Sequence, residues 1–272
     1  MTAFEGALEF SPARVGAMVR RYWYLLSSSW PRILDLVYWP TVQMLMWGFL
    51  QMYVAQNAGF FARAGGVFIG SVLLWDILFR GQLGFSISFL EEMYAKNLAN
   101  IMMSPLRPVE FIASLMIMSV VRLSIGMIPV SLLAIAFFGF NLWGLGLALA
   151  AFFVNLILTS WSIGIFVTGL LLRNGLGAES LAWTIMFLFL PLTCVYYPVS
   201  VLPYWLQYVA WALPPTYVFE GMRDLLIHHE FRVDLMLQAL AYNAVLFAAA
   251  STAFLKLLQS ARENGSLLQV GE

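Results

Sequence analysis

Charged residues are scarce in this 272-residue sequence: Asp, Glu, Lys and Arg together make up 10% of it, against about 25% in an ordinary soluble domain. A soluble chain needs charge to cover its surface, so this scarcity excludes a water-exposed exterior for most of the fold. The formal net charge is zero, which argues against a polyanion-binding surface and so against nucleic acid as a partner. Apolar residues make up 62% and the mean hydropathy is +0.84, so we expect an exterior that faces the lipid bilayer.

Three kinds of chemical site are also missing. A single cysteine, Cys194, excludes an internal disulfide, a thiolate metal cage and a paired-thiol redox centre. The pair His228-His229 has no indicated third ligand, so we expect no metal site. No Ser/His/Asp or paired-carboxylate constellation stands out either, so we expect no catalytic residues. No G-x-x-x-x-G-K-[ST] phosphate loop surrounds either Lys96 or Lys256. If ATP drives this protein, another subunit must bind it.

The first thirty residues contain no apolar core of a signal peptide, so we expect a retained, cytoplasmic N-terminus. Ser11-Pro12 is typical of a helix start, and residues 12–30 have the spacing of an amphipathic helix. One arc of the helix is apolar and aromatic: Val15, Met18, Val19, Tyr22, Trp23, Leu25, Leu26 and Trp30. Such a helix suits the membrane interface or a protein partner, and both roles can hold together.

Six apolar segments are long enough to cross a hydrocarbon layer of about 30 Å: 33–55, 64–90, 109–139, 142–172, 181–197 and 236–258. They predict an all-α, polytopic membrane helix bundle in which residues 1–272 form a single permease domain. Basic residues favour the cytoplasmic side, with both termini inside. The predicted cytoplasmic set is Arg14, Arg20, Arg21, Arg32, Lys96, Arg107, Arg173, Lys256 and Arg262, and the outer set is Arg63, Arg223 and Arg232.

Two connections are too long to be plain turns. On the cytoplasmic side, 91–103 has helical spacing and stops at Ser104-Pro105. On the outer side, 196–235 is as apolar as a span, but its prolines break it into short pieces. Broken backbone at membrane depth must be covered by protein or line a cavity. We therefore expect 196–235 to be a re-entrant or interfacial helical hairpin before the last span; an extra pair of short spans is the alternative.

A charged side chain inside a predicted span costs free energy unless it is paired or hydrated. Asp76 and Arg80 are four residues apart on the second span, and Arg122 lies in the third. Counted from the cytoplasmic ends, Asp76 and Arg122 lie at similar depth, about 21 Å in. We predict a buried Asp76–Arg122 or Asp76–Arg80 bridge, which holds the bundle together or lines a substrate path.

Aromatic residues cluster in the outer segment. Tyr196, Tyr197, Trp205, Tyr208 and Trp211 are the members of this cluster. Interfacial anchoring is the default explanation for them, and direct contact with an amphiphilic or glycan substrate is the alternative.

The order of these parts resembles the permease subunits of type-2 ATP-binding-cassette (ABC) exporters. The similarity is carried by Ser104-Pro105-Leu106-Arg107-Pro108 and by the outer series Tyr196-Tyr197-Pro198-Val199-Ser200, Leu202-Pro203, Pro214-Pro215-Thr216-Tyr217 and Glu220-Gly221-Met222-Arg223. Each motif alone is weak, but together they are fairly specific and cover most of the chain.

The resemblance implies two permease subunits, here a homodimer, with two cytoplasmic ATPase subunits that bind ATP and Mg. It also implies that 91–103 is a coupling helix received by the ATPase together with the amphipathic helix. Its contacts would involve Glu91, Glu92, Lys96, Arg20 and Arg21.

The substrate path would run between the permeases, with Glu220 and Arg223 beside the aromatic cluster at an outer gate. The function implied is export of an amphiphilic, lipid-linked, glycan or drug-like substrate across the inner (cytoplasmic) membrane. An ion-coupled secondary transporter is the alternative, and a membrane-embedded enzyme is a third class.

Overall fold

The structure is a computed structural model that describes residues 10–57 and 66–263, and within these ranges the chain is all-α. The α-helices are α1 (Pro12–Ser27), α2 (Trp30–Asn57), α3 (Val67–Tyr94), α4 (Leu98–Met103), α5 (Pro108–Phe138), α6 (Leu147–Asn174), α7 (Ser180–Leu192), α8 (Tyr204–Trp211), α9 (Pro214–His228) and α10 (Val233–Glu263). Short 3-10 helices cover Leu142–Leu145, Leu176–Ala178 and Val199–Val201. Arg63, which is predicted to lie on the outer side, falls outside the described residues.

Five of the described helices, α2, α3, α5, α6 and α10, are long and apolar enough to span a membrane. The predicted span 181–197 falls on α7, which has only 13 residues and is therefore about 20 Å long. Pro191 lies near its end, and Cys194 takes a left-handed backbone conformation. The prediction of six spans is therefore not confirmed: five helices have the length, and α7 by itself falls short of the hydrocarbon thickness.

Helix α3 is the axis of the bundle and is buried along nearly its whole length. It packs against α2, α5 and α6, and also meets α7 and α9. Glycines allow the closest approaches: a Cβ at Gly84 would lie 3.2 Å from the Cα of Ser119 on α5. Helix α10 pairs most extensively with α6, while α5 and α6 each pack on α3 rather than on each other.

The predicted amphipathic helix is α1, which ends at Ser27 rather than at residue 30. Its buried residues are Val15, Tyr22 and Leu26, and the helix packs against α5. Trp23 and Tyr24 remain exposed. Most of the apolar arc is thus covered by this chain itself, and only the aromatic flank is open to lipid or to another protein.

The predicted helix 91–103 is two structures. Helix α3 continues to Tyr94, Lys96 then takes a positive φ of 53°, and α4 begins at Leu98. The turn closes through a hydrogen bond from the Asn97 amide to the Glu92 carbonyl, 3.0 Å long. Helix α4 ends before the extended Ser104, as expected for a residue that precedes proline. The prediction of one continuous helix was wrong because periodicity does not reveal a single left-handed residue.

The outer segment consists of short helices, as its prolines predict. Extended backbone at Pro198 and Leu202 flanks a 3-10 turn, and α8 and α9 follow Pro203 and Leu213 respectively. Most of the first two turns of α9 is buried against α10, α6 and α3. The segment is therefore built on the end of the bundle.

Candidate functional site

Glu92, in the last turn of α3, joins three helices. Its carboxylate has no exposed surface and accepts hydrogen bonds from Arg21 of α1, from Nε at 3.0 Å and from Nη2 at 2.8 Å. Asn97, the N-cap residue of α4, donates its Nδ2 to the same carboxylate at 3.0 Å. Burial and the nearby Glu92 carboxylate raise the pKa of the Tyr22 hydroxyl on α1 above its usual range. One charge thus fixes α1 and the start of α4 to the end of α3.

Glu91 makes the corresponding connection on the other side of α3. Arg122 of α5 donates to it at 2.9 Å, and Arg32 of α2 donates at 3.4 Å. Arg32 also donates to the carbonyl of Leu25 in α1. The carboxylate therefore connects α3 with the beginning of α2 and with the middle of α5.

The structure contradicts the predicted Asp76–Arg122 bridge. The Cβ of Arg122 lies beside Gly84 of α3, two helical turns before Glu91. Its guanidinium extends to Glu91 instead of Asp76. A long arginine side chain extends along an apolar surface to reach a polar partner, and counting helical rise between Cα atoms ignores that reach.

A third carboxylate, Glu110, was missed by the sequence reasoning. Arg14 of α1 binds it through two nitrogens, at 2.8 and 2.6 Å, and the amides of Ser11 and Arg107 donate at 2.7 and 3.0 Å. Glu110 is the third residue of α5, where a glutamate closes a capping box. That position was the available signal. We call these three carboxylates, with Arg14, Arg21, Arg32 and Arg122, the ion-pair frame.

Beside the ion-pair frame, the α3–α4 turn and α4 expose a mixed surface. Lys96, Asn100 and Met103 are exposed, Met103 to 78%; we call these three residues the α4 face. Among the predicted coupling residues, Lys96 and Arg20 are exposed, whereas Glu91, Glu92 and Arg21 already have partners within the chain. The site combines a rigid internal support with an open contact surface.

The second predicted charge pair is present. Asp76 and Arg80 approach to 3.7 Å, and the Asp76 side chain is fully buried. Neither carboxylate oxygen of Asp76 has a hydrogen-bond partner in the described part of the chain. Among the described residues, the ion pair with Arg80 is therefore the polar contact of Asp76.

At the other end of the bundle, Glu220 and Arg223 hold the broken backbone together. Glu220 accepts hydrogen bonds from the amide of Val199 at 2.7 Å and from Nε of Arg223 at 3.3 Å, and the ion pair between the two side chains closes to 3.0 Å. Arg223 donates to the carbonyls of Cys194 and Val195 at 2.9 and 3.3 Å. These are backbone groups that a non-helical segment cannot satisfy by itself.

The outer aromatic cluster divides into packed and exposed members. Tyr196 stacks on Trp47 of α2 with 4.1 Å between the ring centroids, and the ring centroids of Trp211 and Tyr217 are 5.0 Å apart. Tyr197 donates its hydroxyl to the carbonyl of Pro191. By contrast, Trp205 and Tyr208 on α8 are exposed to 68% and 64%. These two are the members of the cluster most open to lipid or to a ligand.

The sequence reasoning also missed a polar contact between α6 and α10. Asn243 donates to the carbonyl and side-chain oxygens of Asn155 at 2.9 and 3.1 Å, and accepts from Thr159 at 2.6 Å. All three side chains are buried. The i, i+4 spacing of Asn155 and Thr159 on an apolar helix was the signal, because such residues face a neighbouring helix rather than lipid.

A family model described as ABC-2 type transporter matches residues 15–227. No curated protein matches the chain. The matched region runs from α1 to the end of α9. It includes the α4 face, most of the outer segment and every member of the ion-pair frame except Arg14, and it leaves out α10.

Proposed function

This chain belongs to the ABC-2 type transporter family, and from that membership we propose how it works. Membership makes it the multi-pass membrane subunit of an ABC transporter, a transport permease whose ATP-binding site is on an ABC ATPase partner. This favours an ATP-driven mechanism over the ion-coupled alternative. The finer assignments that follow are our proposal.

The chain acts as an exporter in the inner membrane, with both termini cytoplasmic. It moves an amphiphilic, lipid-linked, glycan or drug-like substrate out of the cytoplasm or the inner leaflet. Two copies form a homodimer with two ATPase subunits, which bind ATP and Mg. In the membrane, α7 with residues 193–197 completes a sixth crossing, and 196–235 is re-entrant at the outer face. The residues of the outer gate are Glu220, Arg223 and the exposed Trp205 and Tyr208.

The observation that carries this proposal is the ion-pair frame beside the α4 face. An ATPase that closes on ATP moves as a rigid body, and a short helix can pass that motion to membrane spans only if it is fixed to them. Glu92 joins α4 to α3 and α1, while Glu91 extends the connection to α2 and α5. Motion applied to the α4 face is therefore transmitted to at least three long helices.

Within this arrangement the predicted coupling residues have two roles. Lys96 and Arg20, which are exposed, contact the ATPase directly. Glu91, Glu92 and Arg21 position α4 and α1 for that contact. Met103 contributes the apolar part of the contact, since an exposed methionine on a short helix suits a groove on a partner.

The test is co-purification with the ATPase together with vanadate-sensitive export in vesicles. Lys96→Glu combined with Met103→Glu should weaken ATPase binding at least about tenfold, since loss of a central contact costs about 1.4 kcal/mol or more. The control is Lys256→Glu on α10. Lys256 is also exposed and predicted to be cytoplasmic, and its replacement should leave both ATPase binding and export unchanged. Substrate movement driven by an ion gradient without any ATPase would contradict the proposal.

A further inference from the structure

A cleft opens between α5 and α6, two helices that follow each other in the chain but each pack on α3 rather than on each other. Its volume is about 420 Å³. Ile77 of α3 contributes to the lining between the two helices, Leu123 and Met127 line it from α5, and Leu149 and Phe153 line it from α6. At one end stands Trp143, in the 3-10 turn that joins the two helices.

The local sequence explains why this cleft stays open. Gly139 ends α5 and Gly146 begins α6, both at positive φ (65° and 56°), with the turn Leu142–Leu145 between them. Asn141 caps that turn by accepting from the Trp143 amide, and Leu142 is buried. This connection holds the start of α6 apart from the end of α5.

The side-chain hydrogen-bond donors of the lining already have partners. Its two hydroxyls, Ser124 and Ser131, donate to carbonyls of their own helix, those of Val120 and Ile128. The indole Nε1 of Trp143 donates to Ser131 at 3.1 Å. A cavity whose polar groups are already satisfied stays dry, and an empty one loses the dispersion contacts of its walls.

We propose that this cleft binds one acyl chain of a phospholipid from the surrounding bilayer, with Trp143 at the level of the headgroup. Both walls are flanks of membrane-spanning helices, and the rim residues Ile128 and Val154 are about half exposed. The cleft is therefore continuous with the surface that already faces lipid. An indole at its end matches the interfacial preference of tryptophan.

The experiment uses the purified full-length protein in nanodiscs that contain phosphatidylcholine with a photoactivatable diazirine in one acyl chain. After irradiation, peptide mapping should place adducts on 123–131 and 146–154 at about tenfold the density found on the exposed face of α10, a preference of about 1.4 kcal/mol. Ala150→Phe, which fills the cleft from an exposed lining position, should reduce these adducts to the level of α10.

Ala244→Phe is the matched control, because Ala244 is exposed on α10 and lies outside the lining; the cleft adducts should persist in it. If Ala150→Phe does not fold, Val154→Phe closes the cleft from its rim and should give the same loss. Adducts spread evenly over all exposed apolar helices would overturn the proposal. So would an absence of adducts on 123–131 and 146–154, which is the result expected if a second copy of the chain occupied the cleft.

Discussion

At the scale of single residues, Glu92 has no exposed surface, yet three donors reach its two oxygens. Glu92→Gln keeps the size of the side chain and removes its charge. Because Arg21 is 40% exposed, part of its charge would be solvated, and we expect the free energy of unfolding to fall by about 1–3 kcal/mol rather than the full cost of a buried pair. Thermal unfolding of the detergent-purified protein measures this.

Arg20→Gln is the control for Glu92→Gln. Arg20 is the exposed neighbour of Arg21 and donates to the carbonyl of Gly16 on its own helix. Its replacement should change stability by less than about 0.5 kcal/mol. Equal effects of the two substitutions would mean that Glu92 does not hold α1 to α3.

Asp76 tests whether the intramembrane charges are structural. Asp76→Asn leaves Arg80 without its partner at 3.7 Å, so we expect a loss of folded protein worth about 3 kcal/mol. Size-exclusion yield and transport per folded complex should be measured separately. Normal yield with abolished transport would instead place Asp76 on the substrate path. Asp234→Asn, exposed at the start of α10, serves as the control.

These residues also show where reading from sequence succeeds and fails. The Asp76–Arg80 pair follows from a spacing of four on one helix, which is local geometry. The partner of Arg122 does not, because it depends on a side chain extending two turns along a neighbouring helix. Glu110 lay between the two cases: its capping position is visible in the sequence, but its pairing with Arg14 needs the fold.

At the scale of helices, α2 is seated on α5 through a proline and a glycine. Pro40 has no amide hydrogen, so the carbonyl of Leu36 lacks its usual helical partner. That carbonyl points at Gly126, where a Cβ would lie only 2.5 Å from its oxygen. The two helices can approach this closely only because residue 126 has no side chain.

Gly126→Ala should therefore push α2 away from α5 and lower the free energy of unfolding by about 1–3 kcal/mol. Gly16→Ala on α1 is the control, because a Cβ at this position would have no atom of another helix within 4 Å. This substitution should stabilise the protein slightly, since alanine favours a helix interior. The same thermal unfolding assay measures both. A neutral Gly126→Ala would show that α2 packs on α5 elsewhere.

The polar contact between α6 and α10 predicts a second stability effect. Asn243→Leu removes the hydrogen bonds to Asn155 and Thr159 at nearly constant volume, and we expect a loss of about 1 kcal/mol, as is typical between membrane helices. A double-mutant cycle with Thr159→Val isolates the pair. Thr252→Val, which removes a bond within α10 only, should show no coupling to Asn243→Leu, and equal coupling in both cycles would contradict the assignment.

The long helices could be predicted from the long apolar runs, because a helix that crosses a membrane needs such a run. All five long helices fall on predicted spans. Two element-level predictions failed or stayed unconfirmed for conformational reasons. Lys96 breaks 91–103 with a left-handed residue, and α7 stops at Leu192 instead of continuing to residue 197. Neither break is marked by glycine, and Pro191 alone does not fix where a helix ends.

At the scale of the whole molecule, α3 connects the two ends of the bundle. Its last turn carries Glu91 and Glu92 of the ion-pair frame. Toward its other end, α9 packs against it and carries Glu220 and Arg223, which hold the outer segment. A single buried helix that connects both ends gives force applied at the α4 face a direct route to the outer gate. The composition predicts a membrane helix bundle, but the connection of its two ends through α3 is visible only from the packing of the helices.

The most direct test of the account is the position of α4 relative to the membrane and the ATPase. The chain has one cysteine, Cys194, which is buried, so Asn100→Cys in a Cys194→Ser background provides a single exposed thiol on the α4 face. A membrane-impermeant maleimide should label it only when applied to the cytoplasmic side, and the ATPase partner should protect it. Labelling from the external side, or labelling that the bound ATPase leaves unchanged, would contradict an export mechanism driven through α4.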